Sequence, residues 1–146
     1  MAGLVIVTLI AGGYLYFTNR SSGGLANDYA SVNQRIATAA RSLPVAAQKV
    51  QRFDDAHVFD QYAIKTINEM IADRALLEKM AKTQSGSSRQ IVERGISAAN
   101  QAINAALKYR YAIAVSYELR NADSARSALF RAASELDAAA QAWQQH

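Results

Sequence analysis

Among the residues that could do chemistry, His57 has the best company. Asp54 lies three positions before it and Asp60 three after, which on a helix sets an imidazole and two carboxylates along one side, an acceptable spacing for a transition metal. The same three residues also read as a helix start with a capping Asp and a solvated His, and that plainer reading is the one adopted here. The only other histidine is His146, the final residue. Di-iron carboxylate bundles need Glu-x-x-His pairs on two helices, and the sequence contains none. It also has no cysteine, which removes disulfides, thiolate nucleophiles and Cys-ligated zinc together. With no Walker loop, no Gly-x-Gly-x-x-Gly, no serine nucleophile motif and no His-Glu-x-x-His, we expect neither an enzyme nor a cofactor or metal site.

Two arginines stand out for a different reason. Arg74 follows Ile67 and Met70, and Arg110 follows Ile103 and Ala106, at spacings that place each on the apolar stripe of its helix. A cation there needs a carboxylate or a water-filled gap, and Glu69, Asp73, Glu93, Glu118 and Glu135 are the available partners. The alternative is that Arg74 or Arg110 binds a small anionic ligand inside the bundle. Near Arg110 the segment Lys108–Arg120 interleaves tyrosines with basic residues, the composition that base stacking and phosphate contact would want. On a helix, however, Tyr109, Arg110 and Tyr111 point about 100° apart and form no single platform. Tyr109, Ile113 and Tyr117 read better as an apolar stripe, so nucleic acid is not the expected partner. Tyr109, Tyr111, Tyr117 and Trp143 are instead candidates for contact with a protein.

The elements that must position these residues begin with residues 1–20. From Ala2 to Phe17 no side chain is charged, and the run is read as a transmembrane anchor in contact with the bilayer through residues 2–17. Sixteen residues at a rise of about 1.5 Å span roughly 24 Å against a hydrocarbon thickness of about 30 Å, so Met1, Thr18 and Asn19 must help or the bilayer must thin. Tyr14, Tyr16 and Phe17 suit the headgroup interface, and Arg20 follows where a cation can reach water. The competing readings are a cleaved signal, which usually carries Lys or Arg before its apolar region, and a buried core helix. Arg20, Arg35 and Arg41 follow the run, which places the remainder on the cytoplasmic side of a single-pass protein, the extracytoplasmic side being the alternative. Residues 21–24, Ser-Ser-Gly-Gly, form a flexible joint.

Residues 25–146 read as one all-α domain. The first helix carries Leu25, Tyr29, Val32, Ile36, Ala39, Leu43, Ala46, Val50 and Phe53 at alternating spacings of four and three, with Pro44 inside the pattern as a kink or a fresh start. Asp54 and Asp55 suit an N-cap after a tight turn. The second helix follows with Phe59, Ala63, Ile67, Met70, Leu77 and Met80, its stripe widened by Ile64 and Ile71. Thr83 to Ser88 is a loop, with Ser87 and Gln90 in capping-box spacing for a third and longest helix through Val92, Ile96, Ala99, Ile103, Ala106, Ile113 and Tyr117. A break at Arg120–Asp123, with Asn121 as a left-handed helix end, precedes a fourth helix on Ala125, Leu129, Ala132, Leu136, Ala139 and Trp143.

Four helices joined by short turns predict an antiparallel up-down-up-down bundle, with an elongated pair of hairpins as the alternative. In the bundle, the turns near Asp54 and Arg120 lie far from the anchor, and the Ser85 loop and C-terminus lie near it. The net charge of +4, from 16 basic and 12 acidic residues mixed along the chain, is an ordinary surface with a mild basic bias. The expected function is that of a non-enzymatic scaffold, a subunit or accessory of a membrane-associated complex, docking a partner or another copy through its helix faces. A membrane-tethered sensor of an anionic ligand is the alternative.

Overall fold

A computed structural model describes residues 25–146. They are all-α: among the described residues there are four helices and no strand. The helices are α1 (Leu25–Ala47), α2 (Phe53–Ala81), α3 (Gly86–Tyr111), continued by a π-helical turn at Ala112–Ser116, and α4 (Leu119–Gln144). None of these helices is long and apolar enough to cross a membrane. The proposed anchor and the joint at 21–24 lie outside the described residues.

The helices form a bundle in which neighbours in sequence are neighbours in space, and α4 closes the ring against α1. Cross-helix contacts fix the directions. Along α1 and α2, Arg35 meets Asp73 while Ser42 meets Tyr62. Along α2 and α3, Asp60 meets Arg110 while Arg74 meets Asn100. Along α1 and α4, Arg41 meets Asp137 while Tyr29 meets Trp143. Each pair of residue numbers rises in one helix as it falls in the other, so all three pairings are antiparallel. The start of α1, the Lys82–Ser85 loop and the C-terminus share one end, where Ser88 Oγ lies 2.9 Å from His146 Nε2. The Gln48–Arg52 turn and the π turn share the other.

The core follows the apolar spacing. Tyr29, Val32, Ile36 and Leu43 of α1 are fully buried, as are Leu129, Ala132 and Leu136 of α4, and Phe59, Ala63, Ile67, Met70 and Leu77 fill the α2 side. Each large aliphatic side chain so buried contributes about 1.5–3 kcal/mol relative to exposure. Buried alanines on α3 (Ala98, Ala99, Ala102, Ala105, Ala106) and α4 (Ala125, Ala132, Ala133, Ala139, Ala140) give these two helices thin sides, and their mutual contact is the most extensive in the bundle. Gly95 of α3 makes a close approach on the diagonal, where a Cβ would stand 2.5 Å from the Tyr29 hydroxyl and 2.6 Å from Asn33 Oδ1 of α1.

The structure corrects several boundaries and phases. Pro44 lies inside α1, which runs only to Ala47, because the missing N–H breaks the ladder one turn before the end. The α1 stripe therefore stops at Ala46; Val50 packs on the core from the turn, and Phe53 opens α2 with 77% of its surface exposed. The N-cap of α2 is Arg52. Asp55 acts from inside the first turn, accepting from the Arg52 N–H at 3.0 Å and the Gln51 N–H at 3.1 Å. Ile64 and Ile71 do not widen the inner stripe but face outward, 40% and 38% exposed. The N-cap of α3 is Ser85, with Gly86 at a φ of 58°, so Ser87 and Gln90 fall too late to form the expected box. The longest purely α-helical stretch is α2, with 29 residues, while α3 with its π turn makes the longest continuous helical run, Gly86 to Ser116. The break before α4 comes at Tyr117, at φ 55° and ψ 28°, because the π turn uses up the last turn of α3 early; Asn121 is already inside α4.

Candidate functional site

The end of the bundle remote from residue 25 is built from three pieces: the last turn of α1 with the Gln48–Arg52 turn, the first turn of α2, and the π turn leading into Tyr117. Each leaves apolar side chains without a helix to cover them. Val45 (59% exposed) follows Pro44 and falls off the α1 stripe, while Phe53 and Val58 (66%) start α2 before it has a full set of neighbours. Tyr111, Val115 and Tyr117 stand 51–60% exposed across and beyond the π turn, where the extra residue per turn rotates side chains away from the seam. A left-handed backbone at a tyrosine costs roughly 1–2 kcal/mol and is held here by the structure on both sides.

These side chains surround hollows. An open groove of about 770 Å³ runs between α1 and α2, floored by Val45, Val50, Val58, Phe59 and Tyr62, with Arg41 and Lys49 on its rim. A smaller one of about 300 Å³ shares Val50 and continues over Phe53, Ile113 and Tyr117. A third, of about 680 Å³ between α3 and α4, is lined by Leu107, Lys108, Tyr111 and Ser116 among others. Val50 joins the first two into one apolar stretch, whereas Tyr111 lines the separate hollow between α3 and α4.

The arginines lie elsewhere. Asp73, not Arg74, holds the buried position between Met70 and Leu77, and Tyr109, not Arg110, holds the one after Ala106. Arg110 donates to both carboxylate oxygens of Asp60, at 2.7 and 3.3 Å. Arg74 donates to Asn100 at 3.1 Å and stands 3.6 Å from Glu78. Both cross the α2–α3 interface, but Asn100 and Arg110 are roughly 15 Å apart along α3, so the two arginines do not converge. Their partners differ from the carboxylates expected from sequence; Asp73 binds Arg35, whose Nε donates to it at 3.2 Å. That pair lies in a groove of about 460 Å³ between α1 and α2 that also touches Lys65 and Glu69.

The four aromatic candidates divide. Tyr109 is buried, edge-on to Phe59 with centroids 6.2 Å apart, and burial pushes its phenol pKa up, opposed by Arg126. Trp143 packs on Tyr29 at 4.7 Å. Tyr111 and Tyr117 remain open at the apolar end. Tyr14, Tyr16, Phe17 and Arg20 lie outside the described residues. The ring of His57 faces Gln61, with 3.3 Å between the nitrogens, and no group of three or more metal-ligating side chains occurs among the described residues. Sequence reasoning missed Val45, Phe53, Val58 and Val115. Their signal was available: Val45, Val58 and Val115 are apolar yet out of phase with the seam of their own helix.

No protein-family model, curated protein or solved structure matches the chain.

Proposed function

We propose that this is a membrane-anchored, non-enzymatic interaction protein, a subunit or accessory of a membrane-associated complex. Residues 2–17 span the bilayer once, the joint at 21–24 follows, and the antiparallel bundle holds its apolar end away from the membrane toward a partner. The observation that carries this reading is the gathering of Val45, Phe53, Val58, Tyr111, Val115 and Tyr117 at the end opposite residue 25. The groove between α1 and α2 offers an apolar floor of Val45, Val50, Val58 and Phe59, against which a helix of another subunit lays its apolar face. The engagement of Arg74 and Arg110 by Glu78, Asn100 and Asp60 favours docking over the sensing of an anionic ligand.

The test is a photo-crosslinking residue placed at Val58 or Tyr111 in the full chain in native membranes, with Glu135 on α4 as control. A discrete adduct with another protein at both test positions, absent at Glu135, supports the reading. No adduct at either, in a correctly folded protein, rejects it. Fractionation of the same cells checks the anchor. Ser87→Cys with a membrane-impermeant maleimide checks the side: labelling only after lysis agrees with the cytoplasmic placement drawn from Arg20, Arg35 and Arg41.

A further inference from the structure

The second helix carries a regular stripe on two sides, one apolar and one mixed. Its inner stripe of Phe59, Ala63, Ile67, Met70 and Leu77 fills the core. A second series, Gln61, Ile64, Asn68, Ile71 and Ala75, runs along the opposite side at spacings of three, four, three and four. This is the period of a two-stranded coiled-coil seam. Ile64 and Ile71 are one heptad apart and exposed, and Gln61, Asn68 and Ala75 are exposed with them. Since α2 packs on α1 and α3, this side faces away from the bundle.

We infer that a second copy of this chain docks along this face, the two α2 helices lying parallel and in register about a twofold axis. Asn68 is the first reason. In that register it opposes its own counterpart, and a side-chain amide offers both a donor and an acceptor, so the two satisfy each other. Antiparallel pairing sets Asn68 against isoleucine, and a parallel slip of one heptad sets it against Gln61 on one side and Ala75 on the other, so that at least one buried amide loses its partner at a cost of roughly 1–3 kcal/mol. An Asn at one such position is a known means of fixing register and strand number.

Flanking charge is the second reason. With Asn68 and Ala75 in the first core position of the heptad, Asp60 and Lys65 take the two flanking positions that meet across a parallel pair. Asp60 of each copy thus reaches Lys65 of the other, extending the pair it makes with Arg110. Toward the C-terminal end of α2 the same rule sets Arg74 against Lys79, which repel, and Glu78 enters the seam. The contact is therefore confined to Gln61–Ala75.

A seam of that length is weak between free molecules. The third reason resolves this, and it rests on the anchor proposed above: residues 1–24 join every copy at the same end, so copies in one bilayer stand parallel. Confinement to a membrane raises their effective concentration enough for a short seam to hold.

The chain has no cysteine, so Asn68→Cys in the full protein reports on this face alone. Mild oxidation of whole cells before fractionation is expected to give a disulfide-linked homodimer with Asn68→Cys and none with Glu135→Cys. Adding Ile64→Lys and Ile71→Lys is expected to lower the cross-linked fraction at least tenfold while helicity by circular dichroism is unchanged. Absence of the dimer, an equal yield at Glu135→Cys, an adduct with a different protein, or stronger linkage between Asn68→Cys and Ile71→Cys copies each overturns the pairing. The membrane fraction of the same sample decides the anchor separately, since the cross-link is read whether or not the protein sediments with membranes.

Discussion

Arg35 of α1 grips Asp73 of α2 with two nitrogens, Nε donating to Oδ2 at 3.2 Å and Nη2 to Oδ1, and so ties the two helices together midway along their length. The Asp73 side chain is 7% exposed and that of Arg35 23%. Such a pair is a poor source of stability but a costly one to break, because either partner left alone is a half-buried charge. Asp73→Ala is expected to lower unfolding free energy by about 2–4 kcal/mol in urea titrations. The double variant Arg35→Met/Asp73→Leu should return most of that loss. A double variant as unstable as the single one would contradict this account.

Gly95 is required by contact, not by backbone angle. A Cβ there meets the Tyr29 hydroxyl at 2.5 Å and Asn33 Oδ1 at 2.6 Å, while Tyr29 donates to the Ile91 carbonyl at 2.7 Å and Asn33 to the Tyr29 carbonyl at 2.9 Å. Gly95→Ala therefore costs about 1–3 kcal/mol despite the better helix propensity of alanine. Combining it with Tyr29→Phe, which removes the nearest atom, should cost clearly less than the sum of the two single changes, and thermal melts of the four proteins measure that difference.

Tyr29 also predicts an alkaline limit. Burial raises its phenol pKa to about 12, against opposing effects of the Asn33 side chain, Arg94 and the Gly95 backbone. The unfolded phenol ionises near 10, so between about pH 10 and 12 the folded chain holds a proton the unfolded chain has lost. Stability is intact below pH 10 and falls through that window by up to about 1.4 kcal/mol per pH unit from this group. Urea midpoints at pH 9, 10 and 11 should fall more steeply for the native sequence than for Tyr29→Phe.

Tyr117 separates stability from docking. Tyr117→Gly relieves the left-handed backbone, and a gain of about 0.5–1 kcal/mol is expected in thermal denaturation. If the apolar end receives a partner, the same change weakens crosslinking from Tyr111. A variant that melts higher and still captures its partner as well as before would remove Tyr117 from the docking surface.

Much of the bundle is legible in the sequence. The α4 stripe of Ala125, Leu129, Ala132, Leu136 and Ala139 is buried position by position, because nothing in it competes with the apolar period. The phase was misread where two adjacent residues share the ambiguous position between helical turns. At 73–74 and 109–110 the longer charged side chain sits on the shoulder while its neighbour goes inside, and the guanidinium of Arg35 across the interface helps make burial of Asp73 tolerable. The ends were misread because a π turn has no sequence signature, and because Pro44 ends α1 a turn late. The apolar end was hidden for a related reason: its residues are those that break the pattern, and a search for periodicity discards them.

An even number of helices returns the chain to where it started. His146 rests against Ser87 and Ser88, at the end where residue 25 begins. A reporter protein joined after His146 would thus emerge beside the N-terminal segment, crowding whatever that segment is attached to. A short epitope inserted in the Gln48–Arg52 turn would sit at the other pole, displayed freely but beside the apolar groove between α1 and α2. The exposed flank of α4, around Glu135, lies away from both poles and is where a probe disturbs neither.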